Sequence, residues 1–371
     1  MIRLLNKVWT SLELFYLRYI YEKIIIRKQT RDFLYVMFGP IYFQALSSAV
    51  RFDLFSLLYE HKKLTLLQIS DHLHLEEKPT RILLSTLTAL GFIKRKEKSG
   101  SGDVYYKNSF TSNIYLTQGK KYSLIPIIEW YHHIVYKPMF HFYESLKENK
   151  NIGLKEFKGE ELTLYQRLTY YPELESIFQA AMQQISVQAN IILAKYVDFS
   201  GVKHVLDIGG GNGSNLLAIT KANPHIYGTV LDSPSVCEIA RKNIQEHQMS
   251  DRIDAMEGDC FISDFPKNVD CILFSHFLDI WSEEQNKFLI KKSLDSLSPG
   301  NPVIIFDIME WDNMSGPLTA VAGSPYFLGL ATGDGYIYSA NEYEKWLMDA
   351  GAKETKRRNL PQDHVAVIGI K

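Results

Sequence analysis

An acid followed by a cluster of glycines marks where this chain can do chemistry. In Val205-Leu206-Asp207-Ile208-Gly209-Gly210-Gly211-Asn212-Gly213-Ser214, an apolar run ends on Asp207, and four glycines follow within five positions. The apolar Leu216-Leu217-Ala218-Ile219 comes next. The pattern predicts a buried strand, a tight turn and a helix start. Glycine carries no Cβ and takes positive φ without strain, so a ligand can lie against bare main chain there. The spacing overlaps only partly with a dinucleotide fingerprint, since position 214 is Ser, and the phosphate-binding Lys of a P-loop is absent. Asp207 stands where it would repel a pyrophosphate but could hold a cation, such as an ammonium or a sulfonium-bearing amino acid.

Two further acids follow in register with this one. Tyr227 to Asp232 reads as a strand ending in a carboxylate about twenty residues past the glycines, where both hydroxyls of a ribose can be accepted. Ile253 to Glu257 is a third strand, closed by Gly258-Asp259-Cys260-Phe261. The Asp there can bond an adenine amine while the aromatic covers the base. Val269 to Ser275 and Val303 to Asp307 are the fourth and fifth strands. Strands alternating with helical stretches imply a parallel sheet with helices on both faces, whose ligands sit beyond the carboxyl ends of the strands.

The elements that position these residues fit a chain of 371 residues with 46% hydrophobic and 22% charged content, long enough for two cores. A net charge of -1 gives no electrostatic ground for a nucleic-acid partner. Cys237, Cys260 and Cys271 have neither metal-ligand nor disulfide spacing, which points to a reducing, cytoplasmic setting. Charges at Arg3, Lys7, Glu13, Arg18, Glu22 and Lys23 break up the apolar residues of 1–26. Neither a membrane span nor a signal peptide fits there, and one or two amphipathic helices against a partner subunit are expected.

Residues 35–118 read as a winged helix, with Thr65 capping a helix over Leu66 to Leu73 and Gly91 ending another. Two wing strands flank the turn Ser99-Gly100-Ser101-Gly102. The would-be recognition helix offers mainly Lys78 and Arg81, which argues against DNA binding. The division drawn is 1–118 and 119–371, with 119–200 a helical segment. That segment carries Tyr131 on Glu129-Trp130-Tyr131-His132-His133, and Phe178 and Met182 on Phe178-Gln179-Ala180-Ala181-Met182. Adjacent His residues cannot face one pocket from a helix, so no metal site is expected.

Leu206 to Gly213, Leu231-Asp232-Ser233-Pro234-Ser235-Val236 and Gly258 to Phe261 together resemble class I S-adenosylmethionine-dependent methyltransferases of the acetylserotonin and caffeate O-methyltransferase type. Trp281-Ser282-Glu283-Glu284 and Leu347 to Ala352 extend the resemblance over nearly the whole chain. It implies a Rossmann-like α/β catalytic domain, a mainly α N-terminal winged-helix domain that dimerises, and a small-molecule methyl acceptor. S-adenosylmethionine would be held by Asp207, Gly209, Gly211, Asp232, Ser233, Gly258, Asp259, Cys260, Phe261 and Ser275. Phe178, Met182, Trp281, Tyr338 and Tyr131 would surround the acceptor.

One departure bears on catalysis. Such enzymes place a His base in a His-Asp-Trp run after the fourth strand, where this chain has Leu278-Asp279-Ile280-Trp281. The supporting Glu of the family aligns with Ile337. Asp279 and His276 are the remaining candidates for proton transfer. A carboxylate of ordinary pKa near ~4 is a weak base for a phenol near ~10, so the chemistry divides three ways. A desolvated Asp279 assists O-methylation, an enolisable or electron-rich carbon is methylated, or a thiol or thioether is. Two alternatives share the motifs: a methyltransferase fold using bound cofactor for a non-methylating reaction, and a winged-helix regulator.

Overall fold

A computed structural model describes residues 10–16, 27–97 and 102–371. Most of the expected amphipathic segment within 1–26 and most of the wing turn at Ser99–Gly102 therefore lie outside the described residues. The chain divides into two compact units, Met1–Ile128 and Glu129–Lys371.

In the first unit, helices Gly39–Arg51, Leu54–His61, Leu66–Leu73 and Glu77–Ala89 precede an antiparallel pair, β1 (Ile93–Glu97) and β2 (Val104–Asn108). The start of Leu66–Leu73 is fixed by a capping box, in which Thr65 Oγ1 accepts from Gln68 N–H and Gln68 Oε1 accepts from Thr65 N–H. Helix Glu77–Ala89 stops where Gly91 takes φ +80°, with Phe92 N–H donated back to Leu87 O. Leu54, Phe55, Ile69, Leu84, Leu87 and Ile93 are buried together, and Ile128 joins the same core. That packing explains why the division falls beyond residue 118.

The second unit is built on a seven-stranded sheet of β3 (His204–Ile208), β4 (Tyr227–Asp232), β5 (Ile253–Glu257), β6 (Cys271–Ser275), β7 (Pro302–Ile308), β8 (Glu354–Asn359) and β9 (His364–Ile370). Their order is β5-β4-β3-β6-β7-β9-β8. The five strands read from the sequence are parallel, and β9 enters antiparallel to β7 with β8 outside it. Alternate residues serve opposite faces, as the two-residue period of a strand requires. Val205, Leu273 and Ile304 pack with Ile192 and Leu193 of helix Pro172–Tyr196, whereas Leu206, Ile272 and Ile305 pack with Leu289, Ile290 and Trp346 on the other side. Both faces being covered, β3 and β6 are almost wholly buried.

A short 3-10 turn, Leu278–Ile280, follows β6 and is held from three directions. The fully buried Asn286 donates its amide to Leu278 O (2.8 Å) and Trp281 O (3.4 Å). Tyr338 donates its hydroxyl to Trp281 O at 3.0 Å, and Tyr336 N–H reaches Asp279 O at 2.9 Å. A Cβ on Gly335 would stand 2.6 Å from Asp279 O, so only glycine fits beside the turn. Asn286→Leu should therefore remove one donor each from Leu278 O and Trp281 O, which keep Trp281 N–H and the Tyr338 hydroxyl, and cost about 0.5–1.5 kcal/mol per bond lost. A denaturant midpoint lowered at unchanged slope is the expected readout.

Candidate active site

The carboxyl ends of β3, β4, β5 and β6 lie side by side because the strands are parallel and in register, Ile208 opposite Leu231 and Asp232 opposite Glu257. Asp207, Asp232 and Asp259, widely spaced in sequence, thus reach one edge of the sheet. The glycine turn after β3 needs its glycines for different reasons. At Gly209 (φ +68°) a Cβ would meet the Phe277 ring at 2.1 Å, and at Gly210 it would meet Asp207 Oδ2 at 2.5 Å. At Gly211 (φ +56°) it would enter open space, so there the backbone conformation and free access to the main chain decide.

Asp207 is fully buried and accepts one side-chain bond, from Asn215 Nδ2 at 3.1 Å. Burial pushes its carboxyl up to about 7, the Asn215 bond opposes this, and the nearby Asp232 charge adds to it. Asp232 is raised too, by burial, against the N–H groups of Ser233 (2.8 Å) and Gly211 (3.0 Å). Asp259 is exposed and accepts Phe261 N–H at 2.9 Å. The Phe261 ring meets Trp281 edge-on at 4.9 Å between centroids, and Trp281 meets Phe277 at 5.9 Å. Ser233 is exposed at the start of helix Pro234–Glu246. Ser275 is buried at the end of β6 and Cys260 is buried, while Gly258 is half-buried with a Cβ position 2.6 Å from Ser263 Oγ.

A second group of polar residues gathers beyond β6 and β7. His276 adopts φ +51°, uncommon for a residue with a side chain, and its N–H bonds Phe306 O at 3.0 Å. Its Nδ1 lies 2.9 Å from Oδ1 of the buried Asp307. Burial alone would lower the His276 pKa, but the Asp307 charge and hydrogen bond, with Asp279 adding, raise it above the ordinary imidazole value. Asp279 is held well above the carboxylate range by burial and by Asp307, with His276 opposing. His276 Nε2 and Asp279 Oδ1 are both covered and without a hydrogen-bond partner. Orphaned buried polar atoms cost stability and mark places where a ligand completes the bonding.

The Asp279 charge is felt by Tyr165 and Tyr326, whose hydroxyls interact and whose pKa values burial raises. Phe178 packs on Tyr165 at 5.6 Å, and the buried Trp130 meets Tyr326 edge-on at 5.1 Å. Tyr131 opens the π-helical turn Tyr131–Val135, and burial raises its hydroxyl pKa as well. Met182 is half-buried one turn beyond Phe178. Phe178 thus packs on Tyr165 and Tyr131 on Trp130 beside Tyr326, whereas Trp281 sits against Phe261. Tyr338 is buried against Tyr343 and Trp346, with the exposed Tyr336 ring edge-on to it and its hydroxyl spent on Trp281 O. The sequence reading had not singled out Tyr165, Tyr326 or Asp307 as site residues. Only Asp307 carried a signal, an acid near the end of an apolar strand as in β3 and β4. No group of three or more metal-ligating side chains occurs among the described residues.

Compared with known proteins, residues 142–353 match the O-methyltransferase domain and residues 34–118 the O-methyltransferase dimerisation domain. The chain is 34% identical to the L-tyrosine C(3)-methyltransferase of Streptomyces lavendulae over 317 residues, 85% of each protein. It is also 34% identical to the S-adenosylmethionine-dependent methyltransferase SibL, solved in its apo form, with TM-score 0.80 over 92% of this chain and 98% of that one. The human N-acetylserotonin methyltransferase in complex with S-adenosylmethionine, at 22% identity, shares the fold with TM-score 0.79 over 92% and 97%.

Two outcomes are expected in calorimetric titration with S-adenosylhomocysteine. Asp232→Ala should weaken binding by about 1–3 kcal/mol through unpaired polar groups. Because the Asp207 carboxyl is raised to about 7, it is ionised above that pH and neutral below it. Affinity should therefore be flat at high pH and fall as the pH drops through about 7, and Asp207→Asn should remove that slope.

Proposed function

The chain belongs to the O-methyltransferase family and is an S-adenosylmethionine-dependent methyltransferase, and we propose that it methylates a ring carbon of a small phenolic acceptor. The residues fit the cofactor. Asp207, Asp232 and Asp259 line the sheet edge, none of them ion-paired to a Lys or Arg among the described residues. Beside them Gly211 leaves open space against main chain. An edge of that sign suits a cationic ligand. In this reading Asp207 and the glycine turn hold the methionine end. Asp232 and Ser233 hold the ribose. Gly258, Asp259, Cys260 and Phe261 hold the adenine, with Ser275 beside them. When bound, S-adenosylmethionine supplies an electrophilic methyl on a sulfonium.

The observation that carries the carbon assignment is 34% identity over 85% of the chain to an L-tyrosine C(3)-methyltransferase. Asp279, in place of the family's usual His, agrees with it. Phe178, Tyr165, Tyr326 and Tyr131 offer aromatic walls and hydroxyls to a phenolic ring, and Met182 extends that wall. Trp281 and Tyr338 back the turn that presents Asp279. Loss of the phenol proton makes the ring carbon beside the hydroxyl nucleophilic. That carbon would take the methyl as the methyl–sulfur bond breaks, its own proton would return to the oxygen to restore the phenol, and S-adenosylhomocysteine would be the by-product. Asp279 and His276 are the groups available to handle the proton.

The N-terminal unit is read as a winged helix serving homodimerisation, with no role toward nucleic acid, in a protein that works in the cytoplasm. Support comes from the dimerisation-domain match and from exposed apolar side chains at Phe33, Val36 and Ile41. Among the described residues no single helix is long and apolar enough to cross a membrane, and one bent pair, Lys28–Met37 with Gly39–Arg51, passes by length and composition.

Turnover of L-tyrosine and simple phenols with methyl-labelled cofactor tests the reaction. A ring-bound methyl in the carbon NMR spectrum, in step with S-adenosylhomocysteine release, is expected. A methoxy signal would overturn the carbon assignment, and no release with any phenol would overturn the acceptor class. Light scattering should give a dimer mass for the protein and a monomer mass for Val36→Asp with Ile41→Asp.

A further inference from the structure

We propose that His276 and Asp307 form the proton-accepting dyad of this enzyme, His276 as the catalytic residue at the acceptor hydroxyl and Asp307 as the positioning residue that fixes its ring. The base of the site is then displaced from position 279 to position 276. The inference rests on the phenol-methylation reading.

Three observations carry it. The backbone of His276 is left-handed at the carboxyl end of β6, a conformation uncommon for residues with a Cβ. Its Nδ1 is 2.9 Å from Asp307 Oδ1, and a carboxylate there can only accept, so Nδ1 carries the proton and Nε2 holds the basic lone pair. Nε2 itself is unpartnered.

The surrounding charges favour the same assignment. On β7, Asp307 is the counter-ion that stabilises an imidazolium. On β9, His364 packs edge-on to His276 at 5.2 Å. Burial and His276 pull its pKa down to about 4, and its Nδ1 is donated to Gln362 O at 3.0 Å, so it brings bulk without charge. In the turn after β6, Asp279 is driven by burial and by Asp307 toward its neutral form, which leaves it the poorer proton acceptor. Phe306 stacks on His364 at 5.0 Å and meets the His276 ring at 5.6 Å, closing the imidazole in place. In the step itself, the acceptor O–H bond breaks and an Nε2–H bond forms. The ring carbon beside that oxygen would then bond the methyl as the methyl–sulfur bond breaks, its C–H proton would return to the oxygen through solvent to restore the phenol, and the imidazolium would pass its proton to solvent before the next turnover.

Nitrogen-15 NMR of the full-length protein reads the dyad without any acceptor. His276 should appear as the Nδ1–H tautomer and titrate above 6.5, and Asp307→Asn should lower that midpoint and mix the tautomers. With L-tyrosine as probe, kcat of the wild type should fall as the pH drops through the raised His276 pKa, because the base is then already protonated. Asp307→Asn should lower kcat by about 10²–10⁴-fold, with KM for L-tyrosine changed far less, and move the acidic limb to lower pH. His276→Gly suits the left-handed backbone, so it keeps the fold. It should lose rate to a similar degree and regain part of it with added imidazole. An unshifted His276 titration in Asp307→Asn overturns the pairing. Full activity in His276→Gly, with the acidic limb lost instead in Asp279→Asn, overturns the displacement. Wild-type protein that leaves L-tyrosine unmethylated counts against the acceptor reading alone, since the NMR titration still decides the dyad.

Discussion

Carboxylates withdrawn from water at one edge of a parallel sheet, with no Lys or Arg ion-paired to them among the described residues, are the constraint on which this structure depends. Among the described residues, the fully buried Asp207 carboxyl accepts a side-chain hydrogen bond from the Asn215 amide alone, and Asp232 is satisfied by two backbone N–H groups. Left alone, such groups drift toward their neutral forms, as the Asp207 carboxyl at about 7 does. A ligand bearing positive charge restores them. The glycine turn makes room for it, since a side chain at Gly209 would strike Phe277 and one at Gly210 would strike Asp207 itself.

The same logic is repeated two strands along the sheet from β3, with a different result. At β7 the buried acid, Asp307, has a partner in His276, and the partnership shifts the imidazole upward instead of leaving the carboxyl orphaned. The orphaned atom there is Asp279 Oδ1, carried on a turn that Asn286, Tyr338 and Tyr336 pin by its backbone carbonyls. Holding the turn by main-chain oxygens leaves the side chain free to be chosen for chemistry. The residue at position 279 can therefore vary without loss of the scaffold, and in the proposed reading His276 takes up the proton.

The acceptor side is assembled by longer-range packing. Tyr165, Phe178 and Tyr326 come from segments separated by many residues, and Trp130 and Tyr131 belong to a stretch whose helix widens into a π turn. Such widened turns recur at functional sites because they swing side chains out of ordinary helical register. Aromatic walls near an acid with one unpartnered oxygen suit a ring with a hydrogen-bonding substituent.

What the sequence determined by itself was everything governed by local rules: the alternation of strand and helix, the glycine turn, the acids ending β3 and β4, the capping at Thr65, and hence the fold class and the cofactor's charge. Those features depend on residues a few positions apart, where sterics and hydrogen-bond reach leave few options. The sequence also marked Asp279 as a departure and His276 as a candidate. Only the tertiary structure decided that Asp307 faces His276, that Tyr165 and Tyr326 stand near Asp279, and that Tyr338 gives its hydroxyl to Trp281 O. It also decided that β9 enters the sheet antiparallel beside β7 and so brings His364 against His276. Pairings between distant segments are set by strand order and by which face of each strand is buried, and no spacing along the chain encodes them.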